Sequence, residues 1–412
     1  MTSYLFVHQN FPGQFPHITS ALADRGHTVV AIGEAKRLKQ RAKPHPRIQL
    51  FGYAEPAGSS KETHHYLQGL EGHVRRGQAV FRLAQALIKK GFKPDVVVAH
   101  PGWGEALFLK DAFPHARHIQ YLEFFYGAVG ADVGFDPEFP TSVDLNCKVR
   151  IKNATQLLSF EYADAGIAPT QWQKSRYPAD WQQRITCLHD GINTATVRPT
   201  DDASFTVKTT EGSTPLRLTG ADEVLTYVAR NLEPYRGFHT FMRAVPALLE
   251  KHSAAQLIIV GGDGVSYGRA PSDNLTYREH YLREWGSNVD RSRVHFVGKL
   301  SYADYLSVLQ ISSLHIYLTY PFVLSWSMLE AMSAGCAVLG SATAPVQEVI
   351  TEGRNGFLTD FFDSAALAQR ASDLLANRKE LASVRQAARQ TVIEHYDLHR
   401  LCLPRMLELL RH

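Results

Sequence analysis

Glu330 lies in the part of the sequence whose pattern best suits a phosphorylated or hydroxylated ligand. The apolar run over residues 314–318 predicts a buried strand, and Ser325 follows where a helix N-cap is expected. The helix predicted after Ser325 carries Glu330 among apolar residues at helical spacing. Free N–H groups at the start of a helix suit a phosphate, and a carboxylate accepts hydrogen bonds from sugar or ribose hydroxyls. The alternative is that Glu330 is an ordinary residue of a helix surface.

Three residues of the N-terminal half lie at or shortly after the ends of predicted strands. His100 ends one strand, and its neutral imidazole can hydrogen-bond a sugar or an acceptor hydroxyl, unless it is a structural histidine. Glu123 ends another strand among aromatic residues, which are expected to raise its pKa. It then either holds or deprotonates an acceptor hydroxyl, or it is an ion-paired surface residue. Gly13, after the first strand, either lets a ligand approach the backbone or forms an ordinary turn.

These residues require a frame of alternating strands and helices, and the chain shows that alternation twice. Such alternation predicts two tandem Rossmann-like domains of the doubly wound α/β class, separated by a polar linker over residues 200–223. The predicted domains are 1–205 and 206–385, followed by C-terminal helices over 386–412. The predicted strands are 4–8, 29–32, 96–100, 119–123, 166–168 and 185–188, then 224–229, 256–260, 294–297, 314–318, 337–339 and 357–358.

Composition limits the class of protein further. A chain of 412 residues exceeds one ordinary core, and a net charge of +4 permits an anionic substrate without requiring nucleic acid. Four widely spaced cysteines predict reduced thiols, and the absence of zinc-type spacing predicts no metal site. Without a leader or a long apolar run, a cytoplasmic protein is expected. The basic run at 36–43 is either a solvated face or a contact with anionic headgroups at the inner membrane face.

Residues 322–338 resemble a motif of the family 4 retaining glycosyltransferases of the GT-B fold, the glycosyl transferases group 1. The family pattern is E-G-F-G-L-x-x-x-E-A-M-A-x-G-x-P-V, in which Glu330 matches the second Glu and Phe322 stands in place of the first. The resemblance implies an interdomain cleft and a last helix that crosses back to the N-terminal domain. It also implies transfer of a sugar, with retention of configuration, from a nucleotide diphosphate donor to a hydroxyl acceptor.

Residues 227–238 resemble the family's G-R-L-x-x-x-K-G segment, in which the two cations hold the donor diphosphate. Arg230 matches the Arg, and Arg236 replaces the Lys. Two fixed cations favour the charge that develops on a departing diphosphate. The alternative is a solvated arginine pair before a helix.

The resemblance extends to further loops. It implies that the loop of Gly262 approaches the nucleotide, that the loop of Gly298 and Lys299 reads the base, and that Glu330 holds the ribose. The residues assigned to the donor are Gly13, Arg230, Arg236, Gly262, Gly298, Lys299, Val323, Leu324, Ser325 and Glu330. The residues assigned to catalysis are Arg230, Arg236, Glu123 and His100.

The partners implied by the resemblance are a UDP- or GDP-linked sugar, as substrate rather than cofactor, and a lipid-linked or oligosaccharide acceptor in glycoconjugate or polysaccharide biosynthesis. Phe322 leaves alternatives open, because the residue it replaces contacts the transferred sugar in the family. Its ring either stacks on the sugar or marks a weakened activity, as in a non-catalytic nucleotide-binding subunit. A sugar-nucleotide epimerase or hydrolase and a sugar phosphorylase also remain open.

Overall fold

Seven parallel strands form the sheet of the N-terminal part of the chain in the computed structural model, which describes residues 1–40, 45–207, 215–286 and 289–411. The strand order is β3-β2-β1-β4-β5-β6-β7, so the order reverses between β1 and β4. The strands are β1 (Ser3–Val7), β2 (Thr28–Glu34), β3 (Gln49–Tyr53), β4 (Val96–Ala99), β5 (Arg117–Tyr121), β6 (Ala165–Ala168) and β7 (Ile185–Cys187). The helices are α1 (Pro16–Asp24), α2 (Ala35–Lys39), α3 (Gln68–Lys89), α4 (Leu109–Ala112), α5 (Val143–Glu161), α6 (Gln171–Ser175) and α7 (Ala179–Gln182).

This sheet is covered on both faces, which explains why its central strands β1 and β4 are mostly apolar. Alternate residues of β1 point to opposite sides. Tyr4 and Phe6 join one core cluster, whereas Leu5 and Val7 join a second cluster that contains Val80 of α3. The sheet is therefore the middle layer of a three-layer α/β unit.

A second parallel sheet follows, with six strands in the order β12-β11-β10-β13-β14-β15 and a reversal between β10 and β13. An antiparallel hairpin of β8 (Ser204–Val207) and β9 (Leu216–Thr219) precedes it. The sheet strands are β10 (Val224–Asn231), β11 (Gln256–Gly262), β12 (Val294–Gly298), β13 (Leu314–Tyr317), β14 (Val338–Ser341) and β15 (Phe357–Thr359). The helices are α8 (Phe238–Lys251), α9 (Tyr277–Glu284), α10 (Tyr302–Gln310), α11 (Trp326–Ser333), α12 (Ala344–Gln347), α13 (Ser364–Ala376) and α14 (Ala382–His395).

The chain thus divides into two Rossmann-like units, which confirms the predicted fold class. Unit 1 comprises Met1–Gly191 and Leu398–His412, and unit 2 comprises Ile192–Asp397. The sequence placed the boundaries at 205/206 and 385/386 instead. Residues after Gly191 already pack in unit 2, because Val197 lies in its core and accepts a hydrogen bond from Arg389 of α14 (2.9 Å).

The polar stretch over residues 200–223, predicted as a linker, contains two strands instead. It contains β8 and β9, whose Phe205 and Leu218 are buried in a core cluster of unit 2. Each strand has only four residues with polar side chains between apolar ones, a pattern too short to distinguish from a loop by sequence alone.

The C-terminal segment returns to unit 1. After a π-helical turn over Leu398–Cys402, α15 (Leu403–Leu409) places Met406 in the unit 1 core. Arg117 of β5 donates to the carbonyl oxygen of Leu409 (2.7 Å), which holds the end of this helix.

The predictions made from the cysteines and from the basic run can be compared with the structure. All four cysteines are free thiols, as predicted. The first part of the basic run lies in and beside α2, where Arg37 pairs with Glu34 (2.9 Å), and positions 41–43 lie outside the described residues. Among the helices that the structure describes, none has the length and apolarity needed to cross a bilayer.

Candidate functional site

Arg236 lies at the switch point of the unit 2 sheet, where ligands of open α/β sheets gather. It ends a 3-10 turn after β10, and its Nη1 donates to Thr319 Oγ1 (2.8 Å) and to the carbonyl oxygen of Val323 (3.1 Å). The side chain is therefore held against the loop that follows β13. The guanidinium also forms a hydrogen bond with the side chain of Tyr267, whose ring lies against it (5.5 Å). A guanidinium held in this way presents a fixed positive charge, and guanidinium groups suit phosphate oxygens.

The loop from β13 into α11 supplies backbone donors beside Arg236. Within the described part of the chain, the N–H groups of Val323 and Leu324 have no hydrogen-bond acceptor. Ser325 caps α11 as predicted, since its hydroxyl accepts from the N–H of Ser327 (3.3 Å). The N–H of Ser325 donates to Tyr317 Oη (2.9 Å), so two of the three predicted phosphate donors remain available.

Glu330 lies one turn further along α11. Its Oε1 accepts a hydrogen bond from Tyr302 Oη and its Oε2 accepts one from Tyr305 Oη, both at 2.8 Å. Burial raises the pKa of Glu330 above its ordinary value, although the two tyrosine hydrogen bonds act in the opposite direction. Glu330 is half-buried and hydrogen-bonded at both oxygens, so it differs from an ordinary residue of a helix surface.

Apart from Gly13, which follows β1 in unit 1, the remaining predicted donor residues lie at the carboxyl ends of β10, β11 and β12. A Cβ on Gly262 would come within 2.8 Å of both Lys299 Cε and Asn231 Oδ1, so glycine lets these side chains close around the end of β11. Gly298 has φ +66, and the exposed Lys299 follows it. Arg230 is exposed on β10, and no hydrogen bond or ion pair joins it to Arg236, Glu330 or any other described residue.

Phe322 lies in an aromatic cluster beside Arg236. Its ring is 3% exposed and packs edge-on against Tyr267 (5.0 Å between centroids) and Tyr235 (5.7 Å). Tyr267 is 38% exposed and also lies over the Arg236 guanidinium (5.5 Å). Phe322 is therefore covered by its neighbours, whereas the Tyr267 ring, which sequence analysis did not single out, is exposed.

Glu233 explains how the loop that carries Tyr267 is held. Its buried carboxylate accepts hydrogen bonds from the N–H groups of Ser266 (3.1 Å), Tyr267 (3.1 Å) and Gly268 (3.0 Å). Charge-assisted bonds to backbone donors are among the stronger ones in proteins. Glu233 thus fixes Tyr267 beside Arg236.

His8 and His100 occupy the switch point of the unit 1 sheet, at the ends of β1 and β4. Their rings lie 5.2 Å apart, and both are buried. The Nδ1 of each accepts the N–H two residues further on, from Asn10 (2.8 Å) and Gly102 (3.1 Å). A neutral imidazole bonded in this way carries its proton on Nε2.

Glu123 lies beside His100, although the two residues were predicted separately from the sequence. The His100 Nε2 atom lies 3.4 Å from Glu123 Oε2, and Gln14 Nε2 donates to Glu123 Oε1 (3.0 Å). The His100 ring also stacks on Trp103 (4.2 Å). The structure thus forms a cluster of an imidazole, a carboxylate and an amide beside an indole ring.

Amide side chains fix the backbone that carries Glu123. Asn153 of α5 both accepts from the Tyr126 N–H (3.0 Å) and donates to its carbonyl oxygen (2.6 Å). Gln156 donates to the Phe124 carbonyl (2.8 Å) and Gln173 to that of Glu123 (2.5 Å). Sequence analysis missed these amides, because an Asn or Gln within a helix gives no periodic signal.

Gly13 provides a test of how tightly the unit 1 site is packed. It has φ +54, and a Cβ there would lie 2.5 Å from His8 Nε2, whereas Gly26 has φ +82 and open space around it. We expect Gly26→Ala to lower the free energy of unfolding by about 1 kcal/mol through backbone strain alone. Gly13→Ala should cost about 2–3 kcal/mol, since it also displaces His8. Parallel urea titrations measure the difference, and equal losses would contradict the His8 contact.

Over the described ranges, no group of three or more His, Cys, Asp or Glu side chains is arranged to hold a metal ion.

Two Rossmann-like units in one chain are the architecture of GT-B proteins. The fold matches that of HepE from Anabaena, solved in complex with UDP-glucose, with a TM-score of 0.67, 16% identity and coverage of 100% of both chains. It also matches sucrose-phosphate synthase from Thermosynechococcus elongatus, with a TM-score of 0.71, 17% identity and coverage of 99% of this chain and 98% of that one. At such identities the likeness shows the fold alone.

Two family models match the amino-acid sequence. The glycosyl transferase family 4 group matches residues 25–197, and the glycosyl transferases group 1 matches residues 213–391. The chain belongs to the group 1 family of GT-B glycosyltransferases. It is also 23% identical over 228 residues to spore coat protein SA of Bacillus subtilis (strain 168), a match that spans 55% of this chain and 58% of that protein.

Proposed function

We propose that this chain transfers a sugar from a UDP- or GDP-linked donor to a hydroxyl acceptor, with retention of configuration. The observation that carries the proposal is the arrangement around α11, where the fixed Arg236 guanidinium, two N–H groups without an acceptor among the described residues and the fixed Glu330 carboxylate follow one another. Membership of the group 1 family supports it, as does the complex of HepE with UDP-glucose.

In this proposal unit 2 binds the donor. Arg236 and the N–H groups of Val323 and Leu324 hold the diphosphate, and Glu330 accepts the hydrogen bonds of the ribose hydroxyls. As the sugar departs, negative charge grows on the phosphate oxygen, and fixed donors stabilise that charge more than they stabilise the ground state. Lys299 and Arg230 contribute further positive charge, so the proposal requires neither a metal ion nor a cofactor.

The proposed chemistry balances without a protein nucleophile. The bond between the anomeric carbon and the donor phosphate oxygen breaks, and a bond to the acceptor oxygen forms on the same face of the sugar. The acceptor proton passes to the departing phosphate oxygen. Retention then needs no second carboxylate of the kind that retaining glycosidases use.

Unit 1 binds the acceptor in this proposal, through Glu123 and His100. The acceptor is a hydroxyl of a lipid-linked sugar or an oligosaccharide. We expect Glu123→Gln to lower kcat/KM for the acceptor about 10- to 30-fold, since one hydrogen bond to a charged group is lost. The exposed Glu161, at the end of α5, provides the matched control Glu161→Gln. An equal loss in both variants would contradict the assignment of Glu123.

Ligand screening followed by a transfer assay tests the function as a whole. A ligand that binds only the folded state raises the melting temperature by mass action, so UDP, GDP and their sugar conjugates should raise it selectively. Release of the nucleoside diphosphate should then require an acceptor. Nucleotide binding without transfer to any acceptor would favour the non-catalytic subunit that Phe322 suggests. Turnover of the donor without an acceptor would favour a hydrolase or an epimerase.

A further inference from the structure

The two phenol groups bound to Glu330 have no role in the donor site described so far. Tyr302 and Tyr305 are three residues apart on α10, so they share one face of that helix. Each donates to a different oxygen of the same carboxylate at 2.8 Å. Tyr302 is 54% exposed, whereas Tyr305 is half-buried.

The sequence explains this placement. The hydroxyl of Ser301 accepts the N–H of Asp304 (3.2 Å) and caps α10, so Tyr302 takes the first helical position after the loop of Gly298 and Lys299. That loop is the one expected to approach the nucleotide base. The tyrosines therefore connect it with α11, which carries the carboxylate.

The two phenol hydrogen bonds limit how many further hydrogen bonds the Glu330 carboxylate can accept. An ionised carboxylate has about two acceptor positions on each oxygen, and here one position on each is taken by a phenol. One position per oxygen remains. Two acceptors side by side, held at a fixed angle, match a ligand with hydroxyls on adjacent carbons.

We infer that Tyr302 and Tyr305 are positioning residues that fix the Glu330 carboxylate to accept both ribose hydroxyls, which makes the site selective for ribonucleotides over 2′-deoxyribonucleotides. This inference rests on the proposed function, because it assumes that a nucleotide binds at Glu330. Burial and the charge of Glu330 raise the pKa of both phenols, so the phenols stay protonated and donate. Their hydrogen bonds in turn oppose the rise in the pKa of Glu330 that burial causes.

The test measures dissociation constants of UDP and 2′-deoxy-UDP, and of GDP and 2′-deoxy-GDP, for the wild type, Tyr302→Phe, Tyr305→Phe and the double variant. We expect the wild type to prefer the ribonucleotide about tenfold or more, and the double variant to lose most of that preference. Loss of the phenols also raises the pKa of Glu330 further. Ribonucleotide binding weakens as the pH falls and Glu330 is protonated. The midpoint of that loss should therefore lie at a higher pH in the double variant than in the wild type.

Tyr162→Phe is the matched control, since Tyr162 is 60% exposed in unit 1 and its variant should change neither readout. Single variants at the exposed Tyr302 keep the test valid if the double variant does not fold. Weaker binding with an unchanged ribose preference and an unchanged pH midpoint would overturn the inference alone. If the wild type bound neither UDP nor GDP, the proposed function would fail and this inference with it.

Discussion

Arg236→Lys is expected to lower kcat about 100- to 1,000-fold, the cost of removing one fixed donor from a developing oxyanion. A lysine keeps the charge but loses the planar fork, so it cannot hold Thr319 and Val323 on one edge and a phosphate on the other. The loss should fall mainly on kcat, because the charge on the phosphate is greatest in the transition state. Steady-state kinetics with the donor selected by ligand screening measures it.

Two controls separate chemistry from folding. Thr319→Val removes one of the acceptors of Arg236 but keeps the guanidinium, so it should lower stability while changing kcat only slightly. Arg283→Lys alters an exposed arginine on α9 and should change nothing. A kcat of Thr319→Val as low as that of Arg236→Lys would mean that Arg236 acts only through the loop it holds.

Glu330→Gln should weaken the binding of the nucleoside diphosphate about 100-fold, because two charge-assisted hydrogen bonds become neutral ones or are lost. Gln retains the size of the side chain, so packing within α11 should be preserved. The pH dependence of binding provides a second readout. Since the pKa of Glu330 is raised, wild-type affinity should fall as pH drops through that pKa, and the variant should lack this dependence.

Glu394→Gln is the matched control for Glu330→Gln, as Glu394 is exposed on α14 of the same unit. It should bind the nucleotide like the wild type. If Glu330→Gln bound the nucleotide normally and kept the pH dependence, the ribose would have to lie elsewhere.

The sheets could be predicted from sequence because their strands are buried on both faces. The central strands β1 and β4 are mostly apolar, and the buried residues of β10 and β13 are apolar apart from Thr226 and His315. β3, which lies at the edge of the first sheet and is fully buried only at Tyr53, was missed, as were the hairpin strands. Short strands that bury only one face lack the composition on which the prediction depends.

Part of the candidate site could be predicted from residues that follow predicted strands. Glu330, His100 and Glu123 were singled out by that position and Arg236 by the family resemblance, and the structure places each against another polar group. The residues that support them were not found. Gln14 and the tyrosines of α10 act through contacts 25 to 109 positions away in sequence, which local patterns do not reveal.

A crystal structure of this chain with UDP or GDP, whichever the ligand screen selects, tests the central claim most directly. The diphosphate should lie within hydrogen-bond distance of the Arg236 guanidinium and of the Val323 and Leu324 N–H groups, with both ribose hydroxyls on Glu330. A nucleotide bound away from α11, or one whose diphosphate does not contact Arg236, would contradict the account.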